Sequence, residues 1–177
     1  EQADPRCQQG LTWCAAFGWD PEGDHTIEKP DQYERWSQYE PPNWTGRLFS
    51  FVYPNVQTGQ PTRLDLFPKE GLGWFTYRQI VWPQHWQTPP QAVSLVNWPQ
   101  NDLLEGSLLL GEEEKKETLA NSRQLTLSLL YWLQTDVGAK GLYMAPDILG
   151  TPDGFAQAPY IRESRRAATV TRLREQD

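Results

Sequence analysis

Histidine, methionine and cysteine are scarce in this sequence: two His, one Met and two Cys occur in 177 residues. So few imidazole and thiolate ligands leave no zinc set, and the spacing of Cys7 and Cys14 in "CQQGLTWC" also misses the usual metal patterns. Read as one strand, that stretch puts the two sulfurs on opposite faces and roughly 20 Å apart, too far for a disulfide. Buried thiols are expected, and they do not reveal a compartment. Long apolar runs are missing too, which excludes a membrane-spanning helix. The opening "EQADPRC" lacks the basic start and apolar stretch of a secretory leader. There is no GxGxxG, no P-loop and no GxSxG elbow, and the nearest glycine pair, "EGLGWF", has the wrong spacing. Cation is in short supply: the net charge is −7, which argues against a nucleic-acid partner. No repeat and no low-complexity stretch occurs.

What the chain does contain is aromatic and turn-forming. Nine Trp, seven Tyr and six Phe stand beside fifteen Pro and thirteen Gly, which points to many turns and long loops rather than a helical bundle. The length suits one domain, residues 1–177. The chain does not begin with Met, and "RLREQD" at its end has neither stop nor cap character, so it reads as a piece of a longer polypeptide.

The pattern predicts a strand over "CQQGLTWCAAFGW" and a short helix around "PDQYERWSQY". Strands are expected at "RLFSFVYP", "TRLDLF" and "GWFTYRQIVW", the first two as an antiparallel hairpin across "NVQTGQP". "WPQHWQTPPQ" reads as irregular because of its prolines, and "AVSLVNW" as a short strand. One strong helix is predicted at "EEEKKETLANSRQLTLSLLYWLQTDVG". Acids crowd its first turn, Leu125, Leu129 and Leu133 form an i, i+4 stripe, and Gly138 is a C-terminal stop. "MAPDILGTPDGFAQAPY" reads as a turn-rich loop and "RAATVTRLRE" as a closing strand. The fold class is therefore α+β: a mainly antiparallel sheet, one long buried helix, and long Pro- and Trp-rich loops.

His25 and His85 lie in loop-like segments with no Ser or Cys partner nearby. Trp13, Trp74, Trp98 and Trp132 fall within predicted elements and read as core. Trp44, Trp82 and Trp86 lie in Pro-rich loops, and would serve a carbohydrate-binding platform if the chain were a non-catalytic binding module. Asn43-Trp44-Thr45 is a glycosylation triplet of the kind that also occurs by chance. Asn97, Asn101 and Asp102 gather at a strand end, where they are either turn chemistry or polar groups at the mouth of a cleft. Arg78 and Gln124 interrupt apolar elements, and read as buried polar groups with structural partners ahead of cleft residues. Near the C-terminus, "APYIRESRR" packs Arg162, Arg165 and Arg166 around Glu163. Arg162 and Arg166 share a face whether the segment is extended or helical. A solvated charged edge is the plain explanation, and a seat for a small anion is the functional one.

Five stretches, "ADPRCQQGLTWC", "GWFTYRQIV", "LVNWPQND", "SRQLTLSLLYWLQTD" and "GTPDGFAQAPYIRESRR", occur in an order that resembles the later part of bacterial FAD-dependent oxidoreductases. That family includes members labelled xanthan-lyase-like and is similar to glutathione-reductase-type flavoproteins. The resemblance implies an FAD-binding domain elsewhere in the same polypeptide, with this chain as its substrate domain and part of the return toward the flavin. It implies a small-molecule substrate bound by Asn97, Asn101, Asp102 and Tyr160. It also implies catalytic roles for Arg162, Arg166 and Glu163: the arginines stabilise negative charge and Glu163 orients one of them. FAD belongs to the complete protein, and tight binding to this chain alone is not expected, because the glycine turn for its pyrophosphate is missing.

Overall fold

A computed structural model of the chain describes residues 9–42, 44–55 and 57–161. Its centre is a four-stranded antiparallel sheet formed by β2 (Ala15–Trp19), β5 (Gln79–Val81), β6 (Ala92–Val96) and β8 (Leu142–Met144), in the order β5-β6-β2-β8. Register sorts the side chains by period two. Phe17 lies opposite Ser94 and Met144 and faces one side, while Gly18 lies opposite Val93 and Tyr143 and faces the other.

The first side is covered by the long helix α3 (Glu112–Thr135). Three glutamates open it, at the end where the helix dipole favours anions. Leu125, Leu129, Leu130 and Leu133 are all buried against Phe17, Val96 and Leu142. Gly138 takes a φ of +82° beyond the helix end, and the Ala139 N–H turns back to donate to the Leu133 carbonyl at 2.8 Å. The short helix α1 (Tyr33–Gln38) packs on α3, with Trp36 wholly buried. The α+β class, the antiparallel pairing and the long buried helix are as the sequence predicts.

Two smaller sheets flank this layer. β1 (Leu11–Thr12) lies between β7 (Asp102–Leu103) and β9 (Tyr160–Ile161), both antiparallel to it. β3 (Val52–Pro54) and β4 (Pro61–Arg63) form the expected hairpin. Its turn is held by the Asn55 side chain, which accepts from the N–H groups of Gln57 and Thr58 at 2.9 and 3.1 Å.

Several expected elements come out differently. The first strand is two, because Trp13 and Cys14 carry the chain from one sheet to the next. There the Trp13 indole donates to the Ala156 carbonyl at 2.8 Å, and the Ala156 N–H donates to the Cys14 carbonyl at 2.9 Å. "GWFTYRQIVW" begins as a helical turn, α2 (Trp74–Tyr77), and only then becomes β5. Extended Gly73 starts that turn, its N–H donating to Thr76 Oγ1 at 2.9 Å, and the turn buries the adjacent Trp74 and Phe75 together, which alternation would not. "WPQHWQTPPQ" contains a 3-10 turn, Pro83–His85. The loop expected from Met144 onward opens on the end of β8 and a short helix, α4 (Pro146–Leu149). Cys7, Asn43, the arginines at 162, 165 and 166, Glu163 and the expected closing strand lie outside the described residues. No helix among the described residues is long and apolar enough to cross a membrane.

Candidate functional site

A cleft of about 500 Å³ bordered by expected site residues lies between the β3–β4 hairpin, α2 and the segment that enters β7. Volumes of this order suit small molecules. Its walls are mostly apolar: the rings of Trp44, Tyr53, Trp74 and Tyr77, with Leu64, Leu72 and Leu104. Three polar residues border it, Arg78, Asn97 and Asp102.

Each wall has a local cause. Trp74 is 4% exposed and packs edge-on to Tyr53, with ring centroids 5.0 Å apart. Behind it Trp98 lies at 5.9 Å, and Phe17 of the sheet at 6.3 Å from Trp98. The cleft wall is thus one end of an aromatic stack rooted in the core. The Trp74 indole nitrogen is buried and has no hydrogen-bond partner among the described residues. Arg78 follows α2 directly. Its carbonyl accepts from the Leu95 N–H at 3.0 Å, which fixes its backbone to β6. Its exposed guanidinium lies 5.1 Å from the centroid of the Tyr77 ring and forms no ion pair with a carboxylate among the described residues.

Pro99 opens the 3-10 turn Pro99–Asn101, after which the chain enters β7. Asn101 is wholly buried in this turn. Its Oδ1 accepts from the Trp98 N–H at 2.8 Å and its Nδ2 donates to Thr126 Oγ1 at 3.2 Å, so it braces the turn on α3 and does not face the cleft. Asn97 and Asp102, half-buried on either side of it, do border the cleft. Asp102 accepts a hydrogen bond from the hydroxyl of buried Thr12. Thr12 stands opposite both Asp102 and Tyr160 in the three-stranded sheet, so all three residues share one face. Tyr160 is exposed there. The sequence leaves Asn97 and Asp102 open between turn chemistry and a cleft mouth, and both border this cleft; it favours a structural, buried place for Arg78, which is exposed at the rim. The helical turn of α2, which the alternating pattern hides, is what brings Arg78 to the rim.

A second groove, of about 390 Å³, lies on the sheet face away from α3, lined by Val81, Val93, Tyr143, Trp86 and residues of α4. The Tyr143 ring lies across Gly18, where a Cβ would fall 2.1 Å from the ring, and its hydroxyl donates to Gln91 at 2.6 Å. His25 packs against that ring at 5.0 Å and meets Asp20 at 3.0 Å, a contact that holds the Asp20 carboxyl below its ordinary value. The groove's own lining includes one acid, Asp147, and no cation. The three loop tryptophans do not form one platform: Trp44 borders the first cleft, Trp86 the second groove, and Trp82 stacks on His85. No group of acidic, His or Cys side chains suited to a metal ion occurs among the described residues. The long helix opens after Gly111 with Glu112, Glu113 and Glu114, so a phosphate approaching its N-terminal amides meets carboxylates of its own sign.

A family model described as FAD dependent oxidoreductase matches residues 12–177. No curated protein and no solved structure matches.

Proposed function

We propose, from the premise that this chain belongs to the FAD dependent oxidoreductase family, that it forms the substrate side of such an enzyme and is inactive in isolation. The described residues do not themselves fit FAD. The glycine turn for a pyrophosphate is absent from the sequence, and the one long helix meets an incoming phosphate with three glutamates. On this reading the cofactor is held by another domain of the same polypeptide, in the two-domain plan of glutathione-reductase-type flavoproteins. The chain alone does not retain FAD tightly.

The observation that carries the reading is the row Asp102–Thr12–Tyr160. It spans two strand spacings, about 10 Å, and connects the cleft's carboxylate to the strand that leads directly into Arg162. On this reading Asn97 and Asp102 bind the substrate in the cleft with Tyr160, and Arg162 and Arg166, which follow β9 in the sequence, serve the same site. Arg162 and Arg166 hold negative charge that the substrate carries or develops, Glu163 orients one of them, and Asn101 braces the turn from behind. Loss of one such electrostatic contact costs roughly 100-fold or more in turnover. Arg162→Gln in the full-length flavoprotein is therefore expected to lower turnover on that scale, and to change folding stability by less than about 1 kcal/mol. Normal turnover with a large loss of stability would make the segment a structural clasp and end this reading.

A further inference from the structure

We infer that the cleft takes an amphipathic organic anion, with its carboxylate or equivalent group on Arg78 and its apolar body against Tyr53, Trp74 and Leu104. The inference rests on the cleft being the substrate's seat and not on the flavin. Among the described residues three arginines are paired with carboxylates. Arg35 pairs with Glu105, Arg63 with Asp65 and Arg123 with Asp153. Arg78 forms no such pair among the described residues, although the chain carries 23 acids against 16 lysines and arginines. Arg47 also forms no ion pair among the described residues, but it does not line the cleft.

The carboxylate at the rim behaves differently. Asp102 is already engaged by the Thr12 hydroxyl. Among the lining residues Arg78 is thus the charged group without a carboxylate or hydroxyl partner among the described residues. Arg78 is also aimed by its surroundings. Its backbone is tied to β6, and its guanidinium rests against the Tyr77 ring. A guanidinium held by an aromatic face keeps its N–H edges free for a bidentate acceptor. Between this cation and the opposite wall lie tyrosine, tryptophan and leucine side chains with few polar atoms. A neutral sugar would leave the charge of Arg78 unmatched. A small carboxylate with an apolar body finds a partner for each of its halves.

Three probes that differ only in their head group test this: 4-phenylbutyrate, 4-phenylbutyramide and 4-phenylbutylamine, titrated into the 177-residue chain by calorimetry and tryptophan fluorescence. The carboxylate is expected to bind at least ~10-fold more tightly than the amide, the scale of one charge-assisted contact, with the amine weakest. Arg78→Gln should reduce the carboxylate to the level of the amide and leave the amide unchanged. Arg78→Lys should keep part of the preference. Equal binding of acid and amide, tightest binding of the amine, no binding of any probe at millimolar concentration, or a preference that survives Arg78→Gln would each overturn the inference. An unchanged thermal melt of Arg78→Gln guards against misfolding, and Arg78→Lys gives an independent reading if it melts early. No flavin enters these titrations, and the turnover of Arg162→Gln leaves Arg78 intact, so the two readings fail separately.

Discussion

The inner face of α3 and the back wall of the cleft both bury large side chains, but their polar atoms are treated differently. Gln134, wholly buried on the inner face of α3, has its amide fully used: it accepts from the Ile27 N–H at 3.0 Å and donates to the carbonyls of His25 and Leu142 at 2.7 and 2.8 Å. Trp74, 4% exposed at the cleft, leaves its indole nitrogen without a partner among the described residues, and Arg78 beside it has no carboxylate. Unpaired atoms alone do not mark a site, since the hydroxyls of Ser94 and Ser128 near α3 are unpaired as well. What distinguishes the cleft is an exposed cation without a carboxylate, Arg78, at an opening of about 500 Å³. The core determines the fold, and the cleft keeps unused bonding capacity for something else.

That contrast can be broken most severely from the core side. Leu129→Ala removes a side chain that is 1% exposed at the centre of the α3 stripe. It is expected to cost 2–5 kcal/mol, roughly the range for a buried leucine truncation, as read in denaturant melts. A change within error would mean that this face of α3 is not core. A backbone contact comes next. At Gly141 an added Cβ would fall 1.9 Å from the Asp20 carbonyl oxygen, where the ends of β2 and β8 close together. Because a backbone atom cannot swing aside, Gly141→Ala should cost roughly 1–3 kcal/mol and melt earlier than the parent. An unchanged melting temperature would show that the two strand ends separate freely.

The smallest effect belongs to the surface. Asp24 accepts from the hydroxyl and N–H of Thr26 at 2.6 and 3.1 Å and meets Lys140 at 3.2 Å, contacts that lower its pKa from 3.8 to about 2. A lowered carboxylate pKa adds stability that is fully present above the unfolded value and is lost as pH falls through the folded one. Asp24→Asn should therefore flatten the acid limb of stability slightly between pH 3.8 and about 2, and nowhere above it. An acid limb that does not respond to the substitution would assign that loss to other carboxylates.

The long helix was legible because every determinant of it is local: three acids, a leucine stripe and a left-handed glycine within one continuous segment. α2 was not, because four residues are too few to carry a period, and Trp74 to Tyr77 fit strand alternation equally well. The bond from Gly73 to Thr76 decides the matter, and it is formed only once Trp74 and Phe75 are both drawn inward. β8 was missed for a related reason: its three residues are a strand only through their pairing with β2. At the site, Asn97, Asn101 and Asp102 give one signal in the sequence. The 3-10 turn at Pro99 turns the middle residue inward and leaves its neighbours at the cleft, a distinction made by backbone geometry and not by residue type.

The tryptophan pair at the back of the cleft has an optical consequence. Trp74 and Trp98 lie 5.9 Å apart between ring centroids, with their planes tilted by 37°. At such a separation the electronic transitions of two indoles do not absorb independently. They mix, and the far-ultraviolet circular dichroism acquires a pair of lobes of opposite sign superimposed on the helix and sheet bands. One ring belongs to the cleft wall, while the other is anchored against Phe17 of the sheet. The amplitude of that couplet therefore gauges how firmly the wall is seated on the core, using a chromophore the protein already carries.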